Sequence, residues 1–336
     1  MIPGIFGLSG TSLRESERAF LRFYDPVGVI LFARNVETPD QVRALTADIR
    51  DTLDRNDAPV LIDQEGGRVR RLRPPHWPDL PAAEKLHRGR DRQTANRAVF
   101  LHARLIAAEL HQLGINVNCA PVLDIPAPGS HDIVGDRAYG DNAADVTRNG
   151  RAVMDGLLAG GVLPVIKHLP GHGRAMADSH LELPVVDADP ATLAETDFAP
   201  FDALNDAPFA MTAHIVYSAI DKINCATQSV EIIGNIIRSQ MRFDGFLMSD
   251  DVDMKALTGT PGHKAWTAIN AGCDGVLQCS GDKAVMDEVA EALPEISPAA
   301  RNRLGRALSR RTEPAPFDLT EGYEELDHLL QGGAGA

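Results

Sequence analysis

A single (β/α)₈ barrel, with its active site at the C-terminal ends of the strands, is the fold this sequence predicts. Three observations predict it: eight short apolar runs, polar stretches of helical spacing between them, and a reactive or polar residue at the end of nearly every run. The runs are Ile5–Ser9, Gly28–Phe32, Pro59–Asp63, Val117–Asp124, Leu163–His168, Phe209–Val216, Phe246–Asp250 and Val276–Ser280. Several are nearly continuous, as in Gly28-Val29-Ile30-Leu31-Phe32, which is how a strand covered on both faces reads; a half-solvated strand alternates. Between the runs, Val42, Leu45, Ile49 and Leu53 fall on one helical face after Pro39, and Leu101, Leu105, Ala107, Ala108 and Leu110 do much the same before Gly114. Strand–helix alternation argues for a parallel sheet, and eight repeats fit a closed barrel better than an open one. The runs end in Arg34-Asn35, Asp63, Asp124, Lys167-His168, His214, Asp250-Asp251 and Ser280, where a barrel of this type builds its site.

Composition bounds the function. The chain has 336 residues, 44% hydrophobic and 24% charged, with a net charge of −14. Enough apolar material is present for a large core, and the acidic balance disfavours nucleic acid as a partner. No stretch approaches the roughly 20 apolar residues of a membrane span, and Met1–Gly7 has neither a basic n-region nor a long apolar h-region. A cytoplasmic location is therefore expected. Cys119, Cys225, Cys273 and Cys279 form no Cys-x-x-Cys pair and read as free thiols. Residues 1–330 are expected to form one catalytic domain and 331–336 a frayed tail.

Three segments carry the chemistry. In Asp63-Gln64-Glu65-Gly66-Gly67-Arg68-Val69-Arg70-Arg71, a strand delivers a carboxylate able to accept two sugar hydroxyls, a pair of glycines turns the chain, and arginines follow with planar forks of donors. Spacing alone also permits an ordinary Gly-Gly turn between surface charges. In the stretch 166–180, Lys167 and His168 close a buried strand, and a Pro/Gly loop leads to Asp178-Ser179-His180. A carboxylate two residues from an imidazole is able to orient the ring for general acid/base work. A metal site of His168, His172, His180 and His214 is the competing reading, but His-x-His and His-Glu-x-x-His patterns are missing, so no metal or other cofactor is expected. In Ser249-Asp250-Asp251-Val252-Asp253, a buried strand runs into two adjacent carboxylates; strand alternation lets one face the barrel axis as a nucleophile while the other braces the loop.

These segments, with Leu31-Phe32-Ala33-Arg34-Asn35 and Met211-Thr212-Ala213-His214, resemble in their order the bacterial β-N-acetylglucosaminidases of glycoside hydrolase family 3, the NagZ type. The likeness runs from about Leu8 to Cys279, and the Lys-His…Asp-Ser-His block joined to Ser-Asp-Asp is its most specific part. It implies a barrel that removes terminal β-linked N-acetylglucosamine by a retaining, two-step route. Asp250 would be the nucleophile, and His180, oriented by Asp178, the general acid/base. Asp63, Arg71, Arg137, Lys167 and His168 match the sugar-binding positions. The implied substrates are small amino-sugar fragments of peptidoglycan, N-acetylglucosaminyl-1,6-anhydro-N-acetylmuramic acid and its peptides, with the enzyme acting as a monomer.

Two segments depart from the family pattern. Val252-Asp253 stands where the pattern has Leu-Ser, so Asp253 is expected to point away from the nucleophile, and Arg174–Ala177 has no residue-by-residue match. Alternatives to the hydrolase are a phosphorylase with phosphate as acceptor, a metal-dependent hydrolase, and a non-catalytic sugar-binding barrel. The last would need a broken nucleophile or dyad, and Asp250, Asp178 and His180 are all present.

Overall fold

The computed structural model describes residues 1–129, 132–175 and 182–332. Eight parallel strands close into a barrel: β1 (Ile2–Gly7), β2 (Pro26–Leu31), β3 (Val60–Ile62), β4 (Val117–Asn118), β5 (Leu163–Leu169), β6 (Phe209–Thr212), β7 (Phe246–Asp251) and β8 (Gly275–Gln278). Each pairs with its sequence neighbours, and β8 returns to β1 with Ile5 opposite Leu277. Every apolar run of the sequence therefore overlaps one barrel strand. The run Val117–Asp124 makes the shortest ladder, because just past Asn118 the Ala120 N–H turns back to Asn118 O at 2.8 Å instead of reaching a neighbouring strand. It still continues alongside β5: Leu123 N donates to Lys167 O at 2.7 Å, carrying Asp124 to the barrel mouth.

Why the runs read as continuous is clear from their packing. Alternate strand residues such as Leu163, Val165, Phe209, Met211, Phe246 and Met248 fill the barrel interior. The residues between them, among them Val29, Leu31, Ile166, Ala210 and Leu247, pack outward in the larger cluster that also holds the helices. Helix Pro39–Leu53 begins where the spacing predicts, with Pro39 in its first turn and Thr38 Oγ1 accepting from Gln41 N; it buries Val42, Leu45 and Ile49. Helix Arg92–Gln112 ends before Gly114, whose φ of 74° breaks the pattern. Beyond β8, helix Pro298–Ser309 adds Ala300, Leu304 and Ala307 to the interior cluster and closes the N-terminal end. The last helix, Leu319–Gln331, includes Gln331, so the ordered chain runs past the expected start of the tail at 331. Among the described residues no helix is long and apolar enough to cross a membrane. Cys119, Cys225 and Cys273 are buried free thiols, and Cys279 is a partly exposed one.

Candidate active site

At the C-terminal mouth a cavity of about 360 Å³ is lined by residues from the ends of seven strands, β2 to β8, and their loops. Asp63, Arg71, Arg137, Lys167, His168 and Asp250, the site residues expected from the sequence, all line it. The expected acid/base pair, Asp178 and His180, lies outside the described residues.

The segment after β3 turns sharply. Gly66 and Gly67 have φ of 95° and 56°, and a Cβ on Gly66 would stand 2.4 Å from Pro81 O. Only glycine fits this turn, which sends Arg68 and Arg71 back over the cavity. Along the preceding extended segment Asp63 and Glu65, two apart, face the same side. Both reach Lys167, whose Nζ lies 2.8 Å from Asp63 Oδ1 and 2.7 Å from Glu65 Oε1. Arg71 Nη2 donates to the other oxygen of Asp63 at 3.0 Å. Arg137 grips Glu65 bidentately, both bonds 2.8 Å. Burial alone would push these carboxyls up, but the surrounding cations outweigh it: Asp63 is held far below the usual carboxylate range and Glu65 comes down to about 2. Lys167, desolvated yet flanked by two anions, is held firmly protonated. The cluster is thus a fixed lattice of charged donors and acceptors whose free edges face the cavity, suited to sugar hydroxyls.

Lys167 and His168 are consecutive yet both line the cavity. The pairing of β5 with β6 shifts register between Lys167 and Leu169, and the irregularity re-aims the side chains. His168 Nδ1 lies 2.6 Å from Asp124 Oδ2, which fixes the ring and leaves Nε2 for a ligand. The buried Asp124 also accepts the backbone N–H groups of His168 at 3.2 Å and His172 at 2.7 Å, so although burial opposes ionisation, its imidazole and amide neighbours bring it down to about 2.

Asp250 ends β7. Its Oδ1 accepts from the Asp251 N–H at 2.7 Å. Desolvation is again outweighed, here by the imidazoles of His214 and His168, that amide and Lys167, and the carboxyl is held below its ordinary value: an ionised, partly exposed carboxylate at the cavity wall. Asp251 braces the loop: its Oδ1 accepts from Asp253 N and Cys279 N, both 3.1 Å, and its carbonyl from His214 Nε2 at 3.0 Å. Burial and the charges of Asp253 and Asp250 push its carboxyl up to about 7. Asp253 gives its own carboxylate to Gln278 Nε2 at 2.7 Å, in the direction of the β8 end. Of the imidazoles in the competing metal reading, His214 has both ring nitrogens engaged, by Thr227 Oγ1 and the Asp251 carbonyl. Among the described residues no group of three or more His, Cys, Asp or Glu is disposed to hold a metal ion.

Glu65 and Asp124 have parts in the site that the sequence does not assign them, and the part of His214 differs from the metal ligand of the competing reading. Glu65 has a legible signal, its two-residue offset from Asp63; Asp124 reads only as a strand end, whereas His214 reads as a strand end, a candidate metal ligand and the close of a family motif. Phe32, Met211, Met254 and Leu277 give the cavity its apolar walls.

Comparison with known proteins agrees with this geometry. The model of the glycosyl hydrolase family 3 N terminal domain matches residues 7–310. The chain is 38% identical over 314 residues to a beta-hexosaminidase of Alkalilimnicola ehrlichii, covering 92% of this chain and 89% of the relative. It is 36% identical over 333 residues to a beta-hexosaminidase of Bordetella pertussis, covering 97% and 93%. Among solved structures it is similar to native NagZ from Neisseria gonorrhoeae, with a TM-score of 0.85, 29% identity and coverage of 99% of this chain and 98% of that one. It is also similar to a family 3 beta-N-acetylglucosaminidase from Paenibacillus sp. str. FPU-7, with a TM-score of 0.86, 29% identity and coverage of 97% and 66%. On a barrel whose mouth gathers these charges around an ionised aspartate, a match over nine-tenths of its length means that the chain belongs to glycosyl hydrolase family 3.

Proposed function

We propose that the protein is a retaining exo-β-N-acetylglucosaminidase that removes terminal N-acetylglucosamine from peptidoglycan fragments, acting in the cytoplasm as part of cell-wall recycling. One observation carries the reading: Asp250 is an ionised carboxylate in the wall of a sugar-sized cavity, across from a rigid set of hydroxyl-binding charges. The names of the relatives, beta-hexosaminidase and beta-N-acetylglucosaminidase, point to the same substrate class.

In the first step Asp250 attacks the anomeric carbon while His180, protonated and held by Asp178, gives its proton to the departing glycosidic oxygen. The C1–O bond breaks as the ester to Asp250 forms. In the second step neutral His180 takes a proton from water, whose oxygen bonds to C1 and releases Asp250. Lys167, Asp63, Arg71 and His168 hold the sugar hydroxyls, so the ring arrives with C1 over the carboxylate.

The test is direct. On an aryl N-acetylglucosaminide, NMR should show the β-anomer of free sugar appearing first, and Asp250→Ala should lose at least about 10⁴-fold in kcat with an unchanged melting temperature. His180→Ala should lose far more on disaccharides than on aryl glycosides with good leaving groups, because only the former need a proton. The α-anomer as first product, near-normal Asp250→Ala activity, or sugar 1-phosphate as the main product in phosphate buffer would each refute the proposal.

A further inference from the structure

A second cavity, of about 510 Å³, adjoins the sugar pocket, and the two share Arg68 as a wall. The segment 132–138 divides them: Ile133 and Arg137 line the sugar side, while Asp132, Gly135, Asp136 and Ala138 line the other. Arg68 is fixed in place, with Nε donating to Asp136 Oδ1 at 2.9 Å and Nη2 to the carbonyls of Asp132 and Ile133 at 2.9 and 2.8 Å. Its Nη1 makes no hydrogen bond to the described residues, so a rigid guanidinium at the border keeps a donor for a ligand. Across the cavity Arg88, paired with Glu84 at 2.5 Å, supplies a second cation. The exposed carboxylates of Asp132 and Asp141 meet no cation among the described residues. Charges of both signs around a cavity with few apolar walls fit a flexible arm bearing both carboxylate and amine.

We propose that this second cavity receives the distal part of the leaving group, a short peptide with a free amine and carboxylates, so that the enzyme reads a peptide-bearing disaccharide beyond its sugars. The proposal rests on the N-acetylglucosaminidase reading above. A terminal sugar in the first pocket must project its leaving group out of the mouth, and Arg68 stands on the way from one cavity to the other. Carboxylates of the arm meet Arg68 Nη1 and Arg88; its ammonium meets Asp132 and Asp141.

The experiment compares kcat/KM on four substrates: an aryl N-acetylglucosaminide, the peptide-free disaccharide, the disaccharide with its peptide, and the same peptide with its amine acetylated. The wild type should favour the free-amine peptide substrate over the peptide-free one by about tenfold, the worth of one or two charge-assisted contacts. Asp141→Lys should cancel that gain for the free amine and leave the acetylated peptide, the peptide-free disaccharide and the aryl glycoside unchanged. Arg88→Glu should lower kcat/KM for both peptide substrates and spare the other two. Equal wild-type rates with and without peptide, or variants that move all four substrates together, would overturn the proposal. Failure to cleave the aryl glycoside at all would instead strike the underlying reading, and the proposal with it.

Discussion

The carboxylate of Asp124, wholly buried, lies 2.6 Å from Nδ1 of His168, an imidazole that faces the sugar cavity. With Nδ1–H committed to an anion, Nε2 is the nitrogen presented to the substrate, and the ring has a single orientation. Asp124→Asn keeps the shape but exchanges an acceptor for an NH₂ that opposes Nδ1–H. The expected result is a loss of roughly 10- to 150-fold in kcat/KM for an aryl N-acetylglucosaminide, the worth of one hydrogen bond to a charged group, mainly through KM. Steady-state kinetics check it; an unchanged KM would mean that His168 does not touch the sugar.

Glu65 joins two cations from different elements: Lys167 on β5, through one oxygen, and Arg137 in the loop after β4, through both. Its carboxyl sits at about 2 in the folded protein, below the ordinary 4.5. A depressed acid stabilises the fold fully above its unfolded value, and that contribution drains away as pH falls through the folded one. Glu65→Gln should therefore be less stable than the wild type at neutral pH, with the gap narrowing between about pH 4.5 and 2. Urea denaturation across that range measures it. A gap constant with pH would mean that the charge of Glu65 does not support the cluster.

Lys167→Met tests the same lattice from the other side. It leaves Asp63 and Glu65 buried with one cation fewer, and breaking a buried pair in this way costs about 3–5 kcal/mol. Denaturation at neutral pH should show that loss, and Lys167→Arg should not recover it fully, since a planar fork is a poor replacement for a point charge held between two carboxylates at 2.7–2.8 Å. A melting temperature equal to that of the wild type would contradict this account.

Why so much of this was legible in the sequence, and why some was not, has a physical basis. Strands such as Pro26–Leu31 and Phe246–Asp251 are buried on both faces over Gly28–Leu31 and Phe246–Met248, so their runs stand out, and helix Pro39–Leu53 carries both its spacing and its Pro start. Asp63, Lys167 and Asp250 were found because each ends such a run. Asp124 escaped assignment because its partner is 44 residues away across a strand ladder, and no local pattern reports a register. The second cavity is built by loops packing on one another at Arg68 and Asp136, 68 residues apart, which periodicity does not reach. Asp178 and His180, by contrast, rest on the sequence alone.

Asp251 differs from its neighbours in sign. Burial and the adjacent charges of Asp253 and Asp250 raise its carboxyl from 3.8 to about 7. Between those values the folded protein binds a proton that the unfolded chain does not, so stability falls as pH rises through the window and the penalty is complete near pH 7. Asp251→Asn keeps an oxygen for the N–H groups of Asp253 and Cys279 and has nothing to ionise. Relative to the wild type, the variant should gain stability steadily from about pH 4 to 7, on the order of a few kcal/mol in total, and hold the gain above it. Denaturation curves at several pH values decide the matter. A difference between the two proteins that stays flat over that range would show that Asp251 is already ionised at pH 4 and braces the loop as an anion.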